Sequence, residues 1–180
     1  MIVVKHKLFW MWDFDKEEDW LNEMSSNGLQ LCDVGFCRYT FKEGQPGEYN
    51  YRLQMLDGVA VAEKNGPYIQ FLEDAGIELV GTLFRWAYFR KKADGKEFDL
   101  FSDIDSRLRH LRGIKAIAAI LSLVNLFNGI NNFHLWFTDS VGANLSIGII
   151  CLSIGILIGI GFLFMARKES KMRREKRLHE

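Results

Sequence analysis

The sequence predicts an α+β cytosolic head followed by a two-helix transmembrane hairpin, and three observations carry that reading. Residues 1–105 hold 12 Lys and Arg against 19 Asp and Glu, net −7, whereas residues 106–180 hold 11 against 4, net +7. The acidic part alternates short apolar runs with turn residues, while the basic part holds two long uncharged apolar stretches. Within the head, two segments related by Gly28 and Gly76 share their pattern of apolar letters.

The apolar stretches, 116–137 (AIAAILSLVNLFNGINNFHLWF) and 143–166 (within VGANLSIGIICLSIGILIGIGFLFMA), each reach the roughly 20 residues that cross about 30 Å of hydrocarbon as a helix. The second carries no ionisable side chain. The first carries Asn125, Asn128, Asn131, Asn132 and His134, which require a partner helix, water or headgroups. Orientation follows from the cations: Arg107, Arg109, Arg112 and Lys115 precede the first span, seven Lys and Arg follow the second, and the connecting 138–144 has none. Both termini are therefore expected on the cytoplasmic side of a cell membrane, with Trp136 at the outer interface. The first apolar run, LFWMW, is too short for the core of a signal peptide.

Four parts are expected: a head at 1–101, a helical connector at 102–115, the spans within 116–166 and a basic tail at 167–180. In the head, 5–12 (KHKLFWMW) reads as a strand, central and apolar on both sides. Asp13 or Asp15 can cap a helix with an apolar stripe of Trp20, Leu21 and Met24, ended by Gly28. Residues 29–34 and 37–41 follow as strand broken at Gly35, then turn chemistry at 43–47 and an alternating strand at 49–55. A helix at 67–75, a stop at Gly76 and strands at 77–83 and 86–90 repeat the plan. Without gaps, Leu29 meets Ile77, Leu31 meets Leu79, Phe36 meets Phe84 and Phe41 meets Phe89; after a short gap the pair at 20–21 meets that at 71–72. A duplicated βαβ unit implies a ferredoxin-like fold, two helices on one face of an antiparallel sheet. Its open face then needs a cover: a second copy, a protein partner, the membrane surface or a small ligand stacked on the tryptophans, or the segment 94–101 folded back. Trp10, Trp12, Arg52 and Trp86 are the candidate partner or ligand face.

No catalytic constellation is evident. His6, His110, His134 and His179 are scattered, and Cys32 and Cys37 lack zinc-knuckle spacing, so neither a metal nor another cofactor is expected. A head at net −7 repels phosphate backbones, which argues against nucleic acid. Asp13, Asp15, Glu17, Glu18 and Asp19 read as carboxylates favoured by a solvated helix start. Ser102 with Asp105 reads as a capping box opening a helix that runs through Arg112 into the first span. Gly155 and Gly159 form a GxxxG for packing against the first span or a second copy, with Asn125 and Asn128 as hydrogen-bonding partners. Arg167, Lys168, Lys171, Arg173 and Arg174 can contact anionic lipid headgroups, or serve only as topogenic charge.

The ordered segments LFWMW, EEDWLNEMSSNGLQL, YTFKEGQPGEYNYRL, FLEDAGIELVGT, WAYFRKK and FSDIDSRLRHLR resemble a family of small Gram-positive bacterial membrane proteins defined by an N-terminal domain of unknown function. The resemblance covers about residues 5–112 and rests on Trp20, Leu21, Met24, Gly28, Tyr39, Phe41, Tyr49, Tyr51, Gly76, Trp86, Tyr88 and Phe89. It implies a cytosolic head ahead of membrane spans, often encoded beside a PadR-like regulator, and no catalytic residues. The expectation is a non-enzymatic, membrane-anchored sensory or regulatory protein with a partner-binding or ligand-binding head, contacting lipids and a protein partner or a second copy. The alternative is an accessory subunit of a membrane complex or transporter, recognised through its spans.

Overall fold

The computed structural model describes residues 1–56, 63–96, 98–100 and 104–179, with backbone alone at 104, 175 and 177–179. It divides into two units, 1–102 and 103–180. The expected capping Ser102 lies outside the described residues.

The head is α+β and repeats a four-element plan. Strand β1 (Ile2–His6), helix α1 (Phe14–Ser26), β2 (Leu29–Gly35) and β3 (Arg38–Glu43) are followed by β4 (Tyr49–Met55), helix α2 (Gly66–Asp74) with a 3-10 turn before it, β5 (Ile77–Leu83) and β6 (Trp86–Lys92). Each half is therefore βαββ. The third strand of each half inserts between the other two, giving sheets ordered β1-β3-β2 and β4-β6-β5 with every pairing antiparallel. The six strands form two three-stranded sheets rather than the single antiparallel sheet of the ferredoxin-like fold expected from a doubled βαβ.

The repeat is closer than the letters suggest. Gly28 and Gly76 both stop their helices at φ +77°, and the 48-residue offset between them carries every strand of the first half onto its counterpart in the second. It also carries the bulge between Leu31 and Asp33 onto that between Leu79 and Gly81. No gap is needed in the helices, so Trp20 and Leu21 correspond to Tyr68 and Ile69 rather than to Phe71 and Leu72. Phe71 is exposed, as a residue off the buried stripe should be.

The run expected as a central strand at 5–12 is corrected. Strand β1 pairs from Ile2 with Lys42 to His6 with Arg38, where β3 begins and the hairpin turns away. Past Lys7, whose N–H donates to Cys37 O at 3.3 Å, the chain has no partner backbone, so the aromatic residues leave the sheet.

Two cores result. The larger gathers Leu21 and Met24 of α1, Leu31, Val34, Tyr39 and Phe41 of the first sheet, and Tyr51, Leu53 and Tyr88 of the second. The smaller puts Leu72 of α2 with Ala87 and Phe89 on the opposite side of the second sheet, where Phe98 and Leu100 fold back onto it. The other side of the first sheet needs no cover. It presents Arg38, Thr40, Lys42 and Asp33 with only Ile2 and Val4 apolar.

Helix α1 joins the halves through polar contacts at spacings of four and three. Glu18 Oε1 accepts from Leu53 N–H at 2.7 Å; Asn22 accepts from Tyr51 N–H at 2.7 Å and donates to Tyr51 O at 3.2 Å; Ser25 Oγ donates to Tyr49 O at 2.7 Å. One helical face thus satisfies alternate backbone groups along β4, the edge of its sheet.

The second unit pairs α3 (Ile104–Asp139) with α4 (Gly142–His179), the connector and first apolar stretch being one continuous helix. Glycines let the helices approach: a Cβ at Gly155 would stand 2.9 Å from Leu126, one at Gly129 2.6 Å from Leu152, and one at Gly159 3.2 Å from Ser122 Oγ. Ser122 Oγ donates across the interface to Gly155 O at 2.8 Å. Asn125 and Asn128 instead donate to Leu121 O and Val124 O of their own helix, 2.8 and 3.0 Å away. Both helices are long and apolar enough to cross a membrane, and only 22% and 17% of their most apolar windows are buried within the protein.

Asn22→Ala should destabilise the head by about 2–3 kcal/mol, because it strips an edge strand of a donor and an acceptor at once. Denaturation of the full-length protein followed by tryptophan fluorescence reads this directly, since Trp10, Trp12, Trp20 and Trp86 lie in the head and only Trp136 outside it.

Candidate functional site

Four loops and strand ends converge at one end of the head. The aromatic run that leaves β1, the start of α1 and the tips of the β2–β3 and β5–β6 hairpins enclose a cavity of about 180 Å³. Its wall includes Phe9, Trp10, Phe14, Tyr39, Trp86 and Tyr88. Trp10 stacks on Trp12 with centroids 5.2 Å apart and planes 2° from parallel, and Phe14 packs against Trp86 at 5.7 Å. Phe36 and Phe84, equivalent in the repeat, are 75% and 74% exposed at the two hairpin tips and border the cavity. Their turns need left-handed backbone, at Cys37 in one and at Phe84 itself in the other, each φ +54°. Large aromatics held exposed at two strained turns are a cost to folding rather than a contribution.

A carboxylate lies among these rings. Glu17 is 7% exposed, lines the cavity and accepts the hydroxyl protons of Tyr39 and Tyr88, both at 2.7 Å from Oε1. No Lys or Arg pairs with it among the described residues. Burial raises its pKa above the ordinary 4.5, the two tyrosine hydrogen bonds opposing the shift. Tyr39 and Tyr88 are in turn raised, first by burial and then by the neighbouring carboxylate, so both keep their protons and donate.

Glu17 is the residue the sequence reading placed wrongly, among the solvated carboxylates of a helix start. The signal was present, because Phe14, Glu17, Leu21 and Met24 follow spacings of three, four and three and share the buried stripe of α1. Glu18 is likewise not a free solvated charge but a cap for β4. Of the proposed ligand face, Trp10 and Trp86 line the cavity, whereas Trp12 stacks on Trp10 without lining it. Arg52 does not: its guanidinium lies 3.9 Å from Glu18 and 5.9 Å from the Phe98 ring, on the α1–β4 side.

In the second unit, Arg173 is committed to Glu169 at 2.6 Å, where Lys115 also binds and Arg112 stands 3.9 Å away. Arg167, Lys171 and Arg174 are exposed and Lys168 is half-buried.

A carboxyl with a raised pKa holds stability that is full below its unfolded pKa and lost as pH rises through its folded one. Glu17→Gln, which keeps an acceptor for both tyrosines, should therefore raise the melting temperature of the head at pH 8, by about 1 kcal/mol or roughly 4–8 °C. The gap should close toward pH 5, as thermal melts across that range will show.

Neither the curated proteins nor the solved structures include one similar to this chain. A family model, described as protein of unknown function (DUF2812), matches residues 13–123, a stretch that runs from the start of α1 through both cores and into α3. Since that match covers well over half of the chain, the protein belongs to the DUF2812 family.

Proposed function

We propose that this is a non-enzymatic, membrane-anchored sensory or regulatory protein whose cytosolic head binds a small ligand in the aromatic cavity. The observation that carries it is Glu17: a carboxylate buried among aromatic rings in the cavity lining, held by two tyrosine hydroxyls and with no counter-cation among the described residues. Proteins keep such a group where function requires it.

Anchoring rests on exposed apolar surface. Ile120, Leu123, Phe127 and Ile130 on α3 and Ile149, Ile150, Ile156 and Phe164 on α4 are each more than half exposed, which an aqueous medium would penalise and a bilayer would not. Both glycine-lined helices then read as spans, and the cations flanking the ends away from their connection support a cytoplasmic head and tail. Arg167, Lys171 and Arg174 are disposed to meet anionic headgroups at about 1 kcal/mol each. With only Ser140 and Val141 between the helices, little is left to sense outside, so the signal enters from the cytosol or the bilayer.

Sided labelling tests the topology. With Cys32, Cys37 and Cys151 replaced, a membrane-impermeant maleimide should label Asp139→Cys in intact cells and Lys171→Cys only after permeabilisation; the reverse pattern would overturn the orientation. For the cavity, 4-nitrobenzyl alcohol, a neutral aromatic quencher, should quench the head tryptophans of the full-length protein saturably. Quenching that rises linearly, as it does for acrylamide, would remove the ligand-site reading.

A further inference from the structure

The cavity's chemistry narrows what it can hold. Its walls are aromatic, and ring faces carry the negative end of a quadrupole that attracts cations. One cation already uses this surface: Lys7 Nζ stands 4.9 Å from the Phe9 centroid and 4.8 Å from that of Trp20. The same lining contains Glu17, 93% buried by its 7% exposure, whose ionised form has two neutral donors and no ion-pair partner among the described residues. An anion entering here would meet the buried charge of Glu17 and ring faces of the same sign, while the ammonium of Lys7, which also lines the cavity, is already engaged over the Phe9 and Trp20 rings. A positive guest would relieve both.

Size sets a further limit. A cavity of about 150 Å³ accommodates benzene, so about 180 Å³ takes one ring or a trimethylammonium group and little more. A larger ligand must continue outward over Trp10, Phe36 and Phe84, which supply an exposed apolar lip.

Resting on the ligand-site reading above, we infer that the head binds an organic cation with apolar substituents, an ammonium or a protonated aromatic amine, whose charge sits against Glu17 and whose apolar part lies along the aromatic walls and lip. Because only ionised Glu17 attracts the guest, affinity should rise with pH through the carboxyl's raised pKa. The other titratable groups facing the cavity are Tyr39 of β3 and Tyr88 of β6, both held protonated, Cys37 at the hairpin tip, and Lys7.

The test uses the full-length protein in neutral phosphatidylcholine nanodiscs, with tryptophan quenching by 4-nitrobenzyl alcohol as the readout and phenyltrimethylammonium or benzoate as competitor. Phenyltrimethylammonium is expected to displace the quencher at least about tenfold more effectively than benzoate. That advantage should grow as pH rises through the raised pKa of Glu17 and disappear in Glu17→Gln, whose quenching by the neutral probe persists. The pH series in the unmodified protein stands even if the variant fails to fold. Equal displacement by cation and anion, or a preference unchanged in a folded Glu17→Gln, would overturn the inference while saturable quenching leaves the ligand site standing. Linear quenching with no displacement by either competitor would end both.

Discussion

The contact on which the head depends is the run of hydrogen bonds from one face of α1 to the edge of β4. Edge strands carry unpaired backbone groups that otherwise recruit another strand, and here Glu18, Asn22 and Ser25 satisfy them in turn. The match arises from two periods. Residues three or four apart recur every helical turn, about 5.4 Å, while alternate strand residues recur about every 6.6 Å, close enough for three consecutive side chains to stay in step. The helix of the first repeat is thereby tied to the first strand of the second, and two βαββ units become one domain.

That commitment fixes the rotation of α1 and so decides the fate of its neighbouring stripe. With Glu18, Asn22 and Ser25 turned to β4, the residues Phe14, Glu17, Leu21 and Met24 form the buried stripe, Leu21 and Met24 in the larger core and Phe14 against Trp86 beside it. Three of them are apolar and stabilise it. Glu17 does not, and its tyrosine partners from β3 and β6 only soften the desolvation cost of the charge. Aromatic residues at the cavity lip follow the same logic, since Phe36 and Phe84 are exposed at turns in which a glycine would be less strained. The head thus concentrates its unfavourable features in one place, as ligand-binding surfaces do.

In the helix pair, cohesion comes from close approach of the two backbones. Glycines at 129, 148, 155 and 159 remove side chains where the other helix passes, and Ser122 places a hydrogen bond in the gap. At one end Glu169, almost fully buried, gathers Lys115 and Arg173, with Arg112 near by, so the two helices are also joined by charge. These arrangements leave large apolar surfaces outward on both helices.

Local chemistry was legible in the sequence and remote pairing was not. The glycine stops, the alternation of 49–55, the strands that follow each stop and the apolar helices are written in residues adjacent along the chain, so periodicity alone locates them. The exit of the aromatic run from β1 was hidden, because a strand ends where its partner does and β3 lies more than thirty residues on. Strand order was hidden for the same reason, since inserting β3 between β1 and β2 depends on contacts formed only when the sheet closes. Glu17 was half visible: its helical spacing marked a buried stripe, but which side of α1 faces the core follows from the β4 hydrogen bonds, and these join residues 24 to 35 positions apart. The sequence alone determined the helices, the strands that follow Gly28 and Gly76 and the long apolar stretches; tertiary structure decided where β1 ends and which carboxylate is buried among aromatic rings, because pairing and burial belong to the assembled surface and not to any one segment.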